Sequence, residues 1–320
     1  MTNKLLITFG CSWTFGVGAA YSPDMNEEQY LDIAWNEELN KPFLFRTLIS
    51  EKYKFDNKNF SAAGSSNQKQ FRLAKEYFSS NEFDKDKQKY DKIIVLWGIT
   101  SIYRNELYLN SQESLVNFFY NQNRNEKFVD TYFKNTFDET DTIRNLALDI
   151  LTFDKFFEGH SVDNYWFDTF NHVNYENPYL GFEYHEWKND YYKNAGKDWP
   201  SWEDFLNDNL DHINTTIYKE IHDQSRWLHA HFKVRYRNNK PTFKKILDFD
   251  KQYRDLANYL ALANGNVNGE KTTHKSDFSC DADRIAYLSR IGLVNPFSFH
   301  PTKEGHRQIA KYFETKINFA

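Results

Sequence analysis

The alternation of apolar and polar positions predicts three short strands in the amino-terminal third of the chain. Each is a compact β-prone run followed by small or turn-forming residues: KLLITFG at residues 4–10, YKFDNKNFSAAGSSN at 53–67 and YDKIIVLWGITS at 90–101. The stretches 36–53 and 67–80 between them carry apolar residues at helical spacing. Strands that alternate with helices form right-handed crossovers, so the pattern predicts a parallel α/β sheet.

The pattern changes after residue 104. Apolar residues follow a three-to-four spacing over 107–157, which predicts helix, and VDNYWFDTFNHV at 162–173 predicts one more strand. Residues 174–292 are polar and aromatic, contain no internal repeat, and include a helical pattern at 249–265. A final amphipathic helix is predicted after Thr302, which has the right residue type for an N-cap. Its apolar face comprises Ile309, Tyr312, Phe313 and Ile317.

Composition narrows the range of partners. The 320 residues are 40% hydrophobic and 18% aromatic, which is enough for a sizeable core. We therefore interpret the aromatic residues as part of the core, in preference to a surface on which bases or sugars stack. The formal charge of −5, with cations scattered among acids, provides no basic groove, and nucleic acid is not an expected partner. The apolar run at the amino end is too short for a signal peptide or membrane span. We therefore expect a cytoplasmic protein with no membrane partner.

Cysteine, histidine and glycine spacing points away from metals and nucleotides. Cys11 and Cys280 are expected to be reduced, since a cytosolic setting does not favour disulfides. His229 and His231 form a lone His-x-His that lacks the further ligands of a zinc site. The glycines at the amino end match neither the dinucleotide-binding pattern nor a P-loop, which argues against a nucleotide-binding α/β protein. We expect no cofactor.

The predicted strands end in loops that carry chemistry. Gly10, Cys11 and Ser12 follow the first strand, residues 62–67 the second and 98–101 the third. Loops at the carboxyl ends of parallel strands converge, and ligands bind there. A serine on a strand-to-helix turn exposes its hydroxyl and N–H at one place, and a histidine within reach would take its proton. This arrangement suits acyl transfer.

These blocks resemble the SGNH (GDSL-like) hydrolase family, at the ends of the chain and over about half its residues. FGCSWTFGVG is similar to the family's first block, which implies Ser12 as nucleophile and as an oxyanion donor through its N–H. NFSAAGSSN is similar to the second block and implies the Gly64 amide as a second donor. LWGITS falls at the third block, with Thr100 in the place of the donor asparagine. FSFHPTKEGH is similar to the fourth block and implies His300 as the general base.

The chain also departs from the family pattern. Cys11 replaces the aspartate beside the nucleophile, and Phe297 stands where the family has the aspartate of the triad. A backbone carbonyl, or a carboxylate from the segment after residue 172, would then have to orient the histidine. Candidate carboxylates are Asp277, Asp281 and Asp283, which also suit a solvated acidic loop. Cys11 as nucleophile and His306 as base remain alternatives, although a buried cysteine is usually inert and His306 suits a structural role.

The resemblance implies a three-layer α/β/α fold with a mainly parallel, flavodoxin-like sheet. Residues 1–107 and 286–320, with a strand near 162–171, would form this core. Residues 108–161 and 172–285 would form a helical and aromatic insert that covers the site.

The implied function is hydrolysis of an O-acyl ester of a carbohydrate or small molecule, with Asn67, Trp97 and Arg104 as candidate substrate-binding residues. Arg104 could instead pair with a surface acid, and Trp97 could belong to the core. The alternative function is a hydrolase-like module that binds a glycan or a protein without catalysis. The sequence leaves the oligomeric state open.

Overall fold

The centre of the molecule is a four-stranded parallel sheet. In this computed structural model, the described residues are 3–100, 104–109, 114–119, 132, 136, 139–169, 236–237, 240–241, 289–298 and 300–320. The sheet strands, in spatial order, are β2 (Phe55–Asn59), β1 (Lys4–Phe9), β3 (Lys92–Ile99) and β6 (Asp163–Asp168). All three pairings are parallel, so the predicted α/β class with a parallel sheet is confirmed.

Helices and two antiparallel hairpins complete the described structure. The hairpins pair β4 (Arg104–Leu109) with β5 (Ser114–Phe119), and β7 (Tyr236–Arg237) with β8 (Lys240–Pro241). The helices are α1 (Ser12–Phe15), α2 (Glu27–Ala34), α3 (Glu37–Asn40), α4 (Phe45–Tyr53), α5 (Asn67–Phe78), α6 (Asn81–Lys89), α7 (Glu139–Glu158) and α8 (Lys303–Lys316), with a 3₁₀ turn at Lys41–Phe43. Within the described part of the chain, no helix combines the length and apolar character that crossing a membrane requires.

Side chains capping the helix starts explain where α5 and α8 begin. The Ser66 hydroxyl accepts a hydrogen bond from Lys69 N–H at 3.2 Å, and the Thr302 hydroxyl accepts one from Gly305 N–H at 3.3 Å. Each bond satisfies a first-turn amide that has no partner inside the helix. The predicted N-cap at Thr302 is confirmed, and all four residues of the predicted apolar face of α8 are buried.

Both faces of the sheet are covered by helices. On one face Phe9, Trp97 and Trp166 occupy one row across three neighbouring strands, with ring centroids 4.4 Å and 4.7 Å apart, beneath α5 and α7. On the other face Leu6, Ile94, Leu96 and Phe167 pack against α4 and α8. A strand buried on both faces reads as a continuous hydrophobic run, which explains KIIVLWGI in β3.

Two predicted helices differ from the structure. Residues 36–53 are split into α3, a 3₁₀ turn and α4, because Pro42 has no N–H and interrupts the helical ladder. The start of the predicted helix 107–157 is instead the β4–β5 hairpin, where the aromatic and β-branched residues of SLVNFF favour strand over helix. The helical pattern at 249–265 lies outside the described residues, as do His229, His231, Asp277, Cys280, Asp281 and Asp283.

The direction of winding reverses between β1 and β3. The chain leaves β1 towards the face covered by α4 and then enters β2, whereas it leaves β3 towards the face covered by α7 and then enters β6. The two connections therefore diverge at the carboxyl ends of these neighbouring strands. Such a switch point opens a crevice in which α/β proteins bind their ligands. The loops that carry Ser12 and Thr100 flank this crevice.

Candidate active site

The turn after β1 is packed tightly against the end of β3. A Cβ atom added at Gly10 or at Gly98 would overlap the side chain of Thr14. The two glycines therefore let Thr14 lie across the ends of both strands. Ser12, two residues earlier, is the first residue of α1 and is almost fully buried.

Ser12 has unused hydrogen-bonding groups. Its carbonyl accepts from the N–H groups of Gly16 and Val17 at 2.8 Å and 3.1 Å. Among the described residues, neither its hydroxyl nor its N–H makes a hydrogen bond. A nucleophile and an oxyanion donor both require groups that are not already engaged.

Gly64 occupies a left-handed turn near the end of β2. Its φ of +70° is a conformation that favours glycine, and a Cβ there would meet no atom within 4 Å. The turn is closed by a hydrogen bond from Ser65 N–H to the Ala62 carbonyl at 3.2 Å. The N–H of Gly64 has no backbone partner among the described residues, so this group is also open to a ligand.

Asn67 and Thr100 bind each other. Thr100 N–H donates to Asn67 Oδ1 at 2.9 Å, and Asn67 Nδ2 donates to the Thr100 carbonyl at 2.8 Å. This pair joins the first residue of α5 to the end of β3. Thr100 Oγ1 is buried and has no hydrogen-bond partner in the described structure, whereas its backbone N–H is already engaged. Of these two groups, only the hydroxyl has a hydrogen to offer to an oxyanion.

The Cys11 thiol faces the protein interior. Its Sγ lies 3.6 Å from Thr169 Oγ1, and that hydroxyl donates to the Ile99 carbonyl at 2.8 Å. Because the Thr169 hydrogen is used in this way, the thiol is the donor in the first contact. Cys11 is fully buried and belongs to the core cluster under α4 and α8. This buried environment indicates that Cys11 contributes to the packing of the core.

The loop before α8 holds His300 through its backbone. The N–H and the Nδ2 of Asn295 both donate to the His300 carbonyl, at 2.9 Å and 3.0 Å. Asn295 Oδ1 in turn accepts from the N–H of Phe297 at 3.2 Å and of Ser298 at 2.8 Å. Asn295 thus closes the loop NPFSFH on itself in an Asx-type turn.

The partner of the His300 ring is a serine. Ser298 Oγ lies 2.8 Å from His300 Nδ1 and 3.2 Å from Asn295 Oδ1, and it also hydrogen-bonds the hydroxyl of Tyr30. Within the described residues no carboxylate hydrogen-bonds His300. Phe297, which stands at the family's aspartate position, instead packs on the rings of Tyr30 and Tyr21.

Burial and a nearby charge keep His300 neutral. Burial first, and then the guanidinium charge of Arg104, lower the pKa of His300 to about 3. The imidazole therefore carries no charge at neutral pH. His306 lies fully buried inside α8, where its ring stacks on Phe45.

Tyr30 connects the turn after α1 to the His300 loop. A Cβ at Gly18 would overlap the Tyr30 ring, so the turn runs directly over this side chain. The Tyr30 hydroxyl then contacts Ser298. Tyr30 thus links the segment that follows Ser12 and α1 to the loop that carries Ser298 and His300. No hydrogen bond joins Ser12 Oγ to His300 among the described residues.

Arg104 lines a cavity of about 220 Å³ beside the crevice. Its described lining includes Asn67 of α5, Arg104 and Asn105 of β4, and Asp149 of α7. Trp97 does not line it. Its ring is fully buried in the aromatic row of the sheet, and its Nε1 donates to Asn164 Oδ1 at 2.5 Å. This packing explains the position of the Trp97 side chain without a role in ligand binding.

Sequence reasoning missed Ser298, Asn295 and Tyr30. The pattern Asn-Pro-Phe-Ser is a turn signal that could have indicated the role of Asn295, but Tyr30 lies 268 residues from its partner Ser298. Across the part of the chain that the structure describes, no three His, Cys, Asp or Glu residues are grouped as metal ligands would be.

Comparisons with known proteins include a distant structural likeness. No protein-family model matches the chain. No curated protein matches it either. Among solved structures, the chain is similar to an acetyl xylan esterase from the rumen bacterium Butyrivibrio proteoclasticus, with a TM-score of 0.33 and 16% sequence identity. The match covers 61% of this chain and 53% of that one, so it spans about half the length of the esterase.

Proposed function

We propose that this protein is an SGNH-type serine hydrolase that cleaves an O-acyl ester of a carbohydrate or small molecule. The observation that carries the proposal is a neutral His300 in a loop that Tyr30 ties to the turn after α1, the short helix that begins with Ser12 and its unengaged hydroxyl. Nucleophile and base would thus come from two loops at one edge of the sheet. Fold class alone would not support this function, since α/β scaffolds host many activities.

The hydrogen bonds of Ser298 suggest which ring nitrogen acts as the base. If the Ser298 hydroxyl donates to Asn295 Oδ1, it accepts from His300 Nδ1–H, and the lone pair of Nε2 is left to receive a proton. Tyr30 O–H donates to the remaining lone pair of Ser298. This arrangement gives His300 the tautomer that a general base requires.

The reaction then follows the acyl-transfer scheme. His300 Nε2 takes the hydroxyl proton as Ser12 Oγ attacks the ester carbonyl, and a tetrahedral oxyanion forms. The N–H groups of Ser12 and Gly64 and the hydroxyl of Thr100 donate to that oxyanion. His300 returns the proton to the leaving alcohol as the C–O bond breaks. Water, activated by the same imidazole, then hydrolyses the acyl-enzyme to a carboxylic acid and free Ser12.

A neutral Ser298 in place of a carboxylate should make this hydrolase slow. Ser298 orients the imidazole but supplies no negative charge to stabilise the imidazolium that forms in the transition state. Replacing the triad aspartate with asparagine in a serine protease lowers kcat by about 10⁴, partly through the wrong tautomer. Because Ser298 preserves the tautomer, we expect a smaller deficit.

The alternative is a catalytically silent module that uses the same crevice to bind a glycan or a protein. It is favoured by the lack of a His300 carboxylate partner and of a Ser12–His300 hydrogen bond among the described residues. Measurable turnover of an ester substrate would distinguish the hydrolase from the silent binding module.

Hydrolysis of p-nitrophenyl acetate and labelling by a fluorophosphonate test the proposal. We expect turnover and labelling for the wild type, and losses of at least 100-fold for Ser12→Ala and His300→Ala. Ser79→Ala and His160→Ala, which alter exposed residues of the same types, should behave as the wild type. Equal rates in all five proteins would overturn the catalytic function.

A further inference from the structure

Arg46 in α4 is a buried cation that reaches the helix bearing Ser12. Its side chain is 3% exposed, and its Nη1 donates to the carbonyl oxygens of Thr14 and Phe15, each at 3.0 Å. Burial lowers the pKa of Arg46 to about 10, while the nearby charge of Glu37 acts in the opposite direction, so the guanidinium is charged at neutral pH. Hydrogen bonds from a charged donor are stronger than those between neutral groups.

The two carbonyls that Arg46 binds depend on a donor from outside α1. This helix is a single turn, Ser12–Phe15, and the last carbonyls of a helix have no later helical N–H to accept from. Among the described residues, no backbone N–H donates to the carbonyl of Thr14 or of Phe15. Arg46 thus supplies the hydrogen bonds that a following helical turn would otherwise provide.

A single helical turn is not stable by itself, so the position of α1 depends on what holds it. Nucleating a helix fixes several backbone dihedral angles in return for one hydrogen bond. The start of α4 supplies a second contact, because a Cβ added at Gly16 would overlap Leu44, the residue before α4. The start of α4 therefore holds the carbonyl end of α1, and Ser12 begins the same turn.

We propose that Arg46 is a positioning residue for Ser12, which fixes α1 so that the Ser12 hydroxyl and N–H keep the geometry for attack and for oxyanion binding. The inference rests on the proposed function. A displacement of about 1 Å in a reacting group can lower a rate by about 10². Because Arg46 is buried and donates to the backbone of α1, its loss should lower kcat and leave KM nearly unchanged.

Ester hydrolysis by three variants tests this role. For p-nitrophenyl acetate, Arg46→Met should lower kcat by about 10- to 100-fold and change KM by less than about twofold. Arg46→Lys should stay within about fivefold of the wild type, because both bonds come from one nitrogen and an ammonium has three hydrogens. Glu37→Gln should change kcat by less than about twofold, since that ion pair uses Nη2 at 3.4 Å and a half-exposed carboxylate.

Two control variants separate positioning from a general loss of stability. Ile317→Ala creates a cavity in the core at the far end of α8, about 20 Å from the start of that 14-residue helix. Arg307→Met repeats the arginine substitution at an exposed position of α8. Both should retain the kcat and KM of the wild type. Urea unfolding verifies that each variant is folded, and Arg46→Gln, whose side chain is too short to reach the carbonyls, replaces Arg46→Met if that variant is not.

Hydrogen exchange measures the stability of α1 without any reaction. The N–H groups of residues 15–17 donate to carbonyls within this turn, at distances from 2.8 to 3.1 Å. Mass spectrometry of peptides covering residues 13–19 should show exchange at least about tenfold faster in Arg46→Met than in Ile317→Ala. Peptides from α6, which lies outside this contact, should exchange alike in the two variants.

The outcomes distinguish the positioning role from the activity. Unchanged exchange of α1 in Arg46→Met overturns the role, as does a kcat equal to that of Ile317→Ala or a loss that is equally large in Glu37→Gln. With an active wild type, these results leave the proposed function intact. If the wild type neither hydrolyses p-nitrophenyl acetate nor reacts with a fluorophosphonate, the proposed function fails, and the exchange of α1 alone decides whether Arg46 fixes this turn.

Discussion

Replacing His306 with phenylalanine should remove much of the acid sensitivity of this fold. His306 is fully buried in α8, with its ring stacked on Phe45 at a centroid distance of 5.9 Å. Neither ring nitrogen has a hydrogen-bond partner among the described residues. Burial, and then the nearby charge of Arg46, lower the pKa of His306 to about 3. The folded protein therefore holds this imidazole neutral.

The size of the effect follows from proton linkage. An exposed histidine in the unfolded chain has a pKa of about 6.5, so between pH 6.5 and 3 the unfolded state binds one proton more than the folded state. The stabilising contribution is complete above pH 6.5 and is lost as the pH falls. The free energy of unfolding decreases by about 1.4 kcal/mol per pH unit, or about 3 kcal/mol between pH 6.5 and 4.5. Phenylalanine keeps the ring and does not titrate.

Urea unfolding between pH 4.5 and 7.5 measures this difference. Between about pH 4.5 and 6, the slope of the unfolding free energy against pH should be smaller in His306→Phe than in the wild type by about 1.4 kcal/mol per unit, and above pH 6.5 the two slopes should agree. At pH 7 the variant should be at least as stable, because two buried nitrogens without partners are removed. His160→Phe, at an exposed position, should leave the slope unchanged. An unaltered slope in His306→Phe would refute the reasoning.

Substitutions at three further positions, Gly98, Ser298 and Thr302, test the site and the fold. Ser298→Asp should raise the pKa of His300, increase ester hydrolysis at pH 8 about tenfold, and move the acid limb of the kcat/KM profile upward, whereas Ser298→Ala should decrease hydrolysis. Gly98→Ala should lower the free energy of unfolding by about 1–3 kcal/mol because its Cβ overlaps Thr14, and Thr14→Ala should restore part of the loss in the double variant. Thr302→Ala should cost about 1 kcal/mol in urea unfolding through loss of the α8 cap.

The elements that could be predicted from the sequence are those with strong local signals. The strand KIIVLWGI is continuously apolar, and α8 combines a cap at Thr302 with an amphipathic repeat, so neighbouring residues suffice to define both. The β4–β5 hairpin was not predicted, because its apolar residues also fit a helical spacing. Pro42 divides the first crossover into separate helices, but the apolar residues around it follow a helical spacing, so the pattern predicted one continuous helix.

The candidate site was predictable only in part, for a similar reason. Ser12, Gly64 and His300 each follow a local turn signal, whereas the environment of His300 depends on contacts between distant segments. The residue three positions before His300, where the family pattern has an ionised aspartate, is Phe297. The structure instead turns the loop at Asn295, which presents Ser298 to Nδ1, and the other contact of Ser298 comes from Tyr30 in α2. No periodicity could indicate that contact.

The Tyr30 contact joins the stability of the loop before α8 to the chemistry proposed for it. Ser298 has two roles, since its hydroxyl hydrogen-bonds Nδ1 of His300 and is itself held in place by Tyr30 and Asn295. A carboxylate at this position would strengthen the base, but it would lie against the buried ring of Tyr30 and the partly buried ring of Phe297 and near the loop amides, where desolvation opposes a charge. A neutral serine avoids that cost. The weak base is therefore a consequence of how the loop packs, and a gain of activity in Ser298→Asp should be accompanied by a loss of stability.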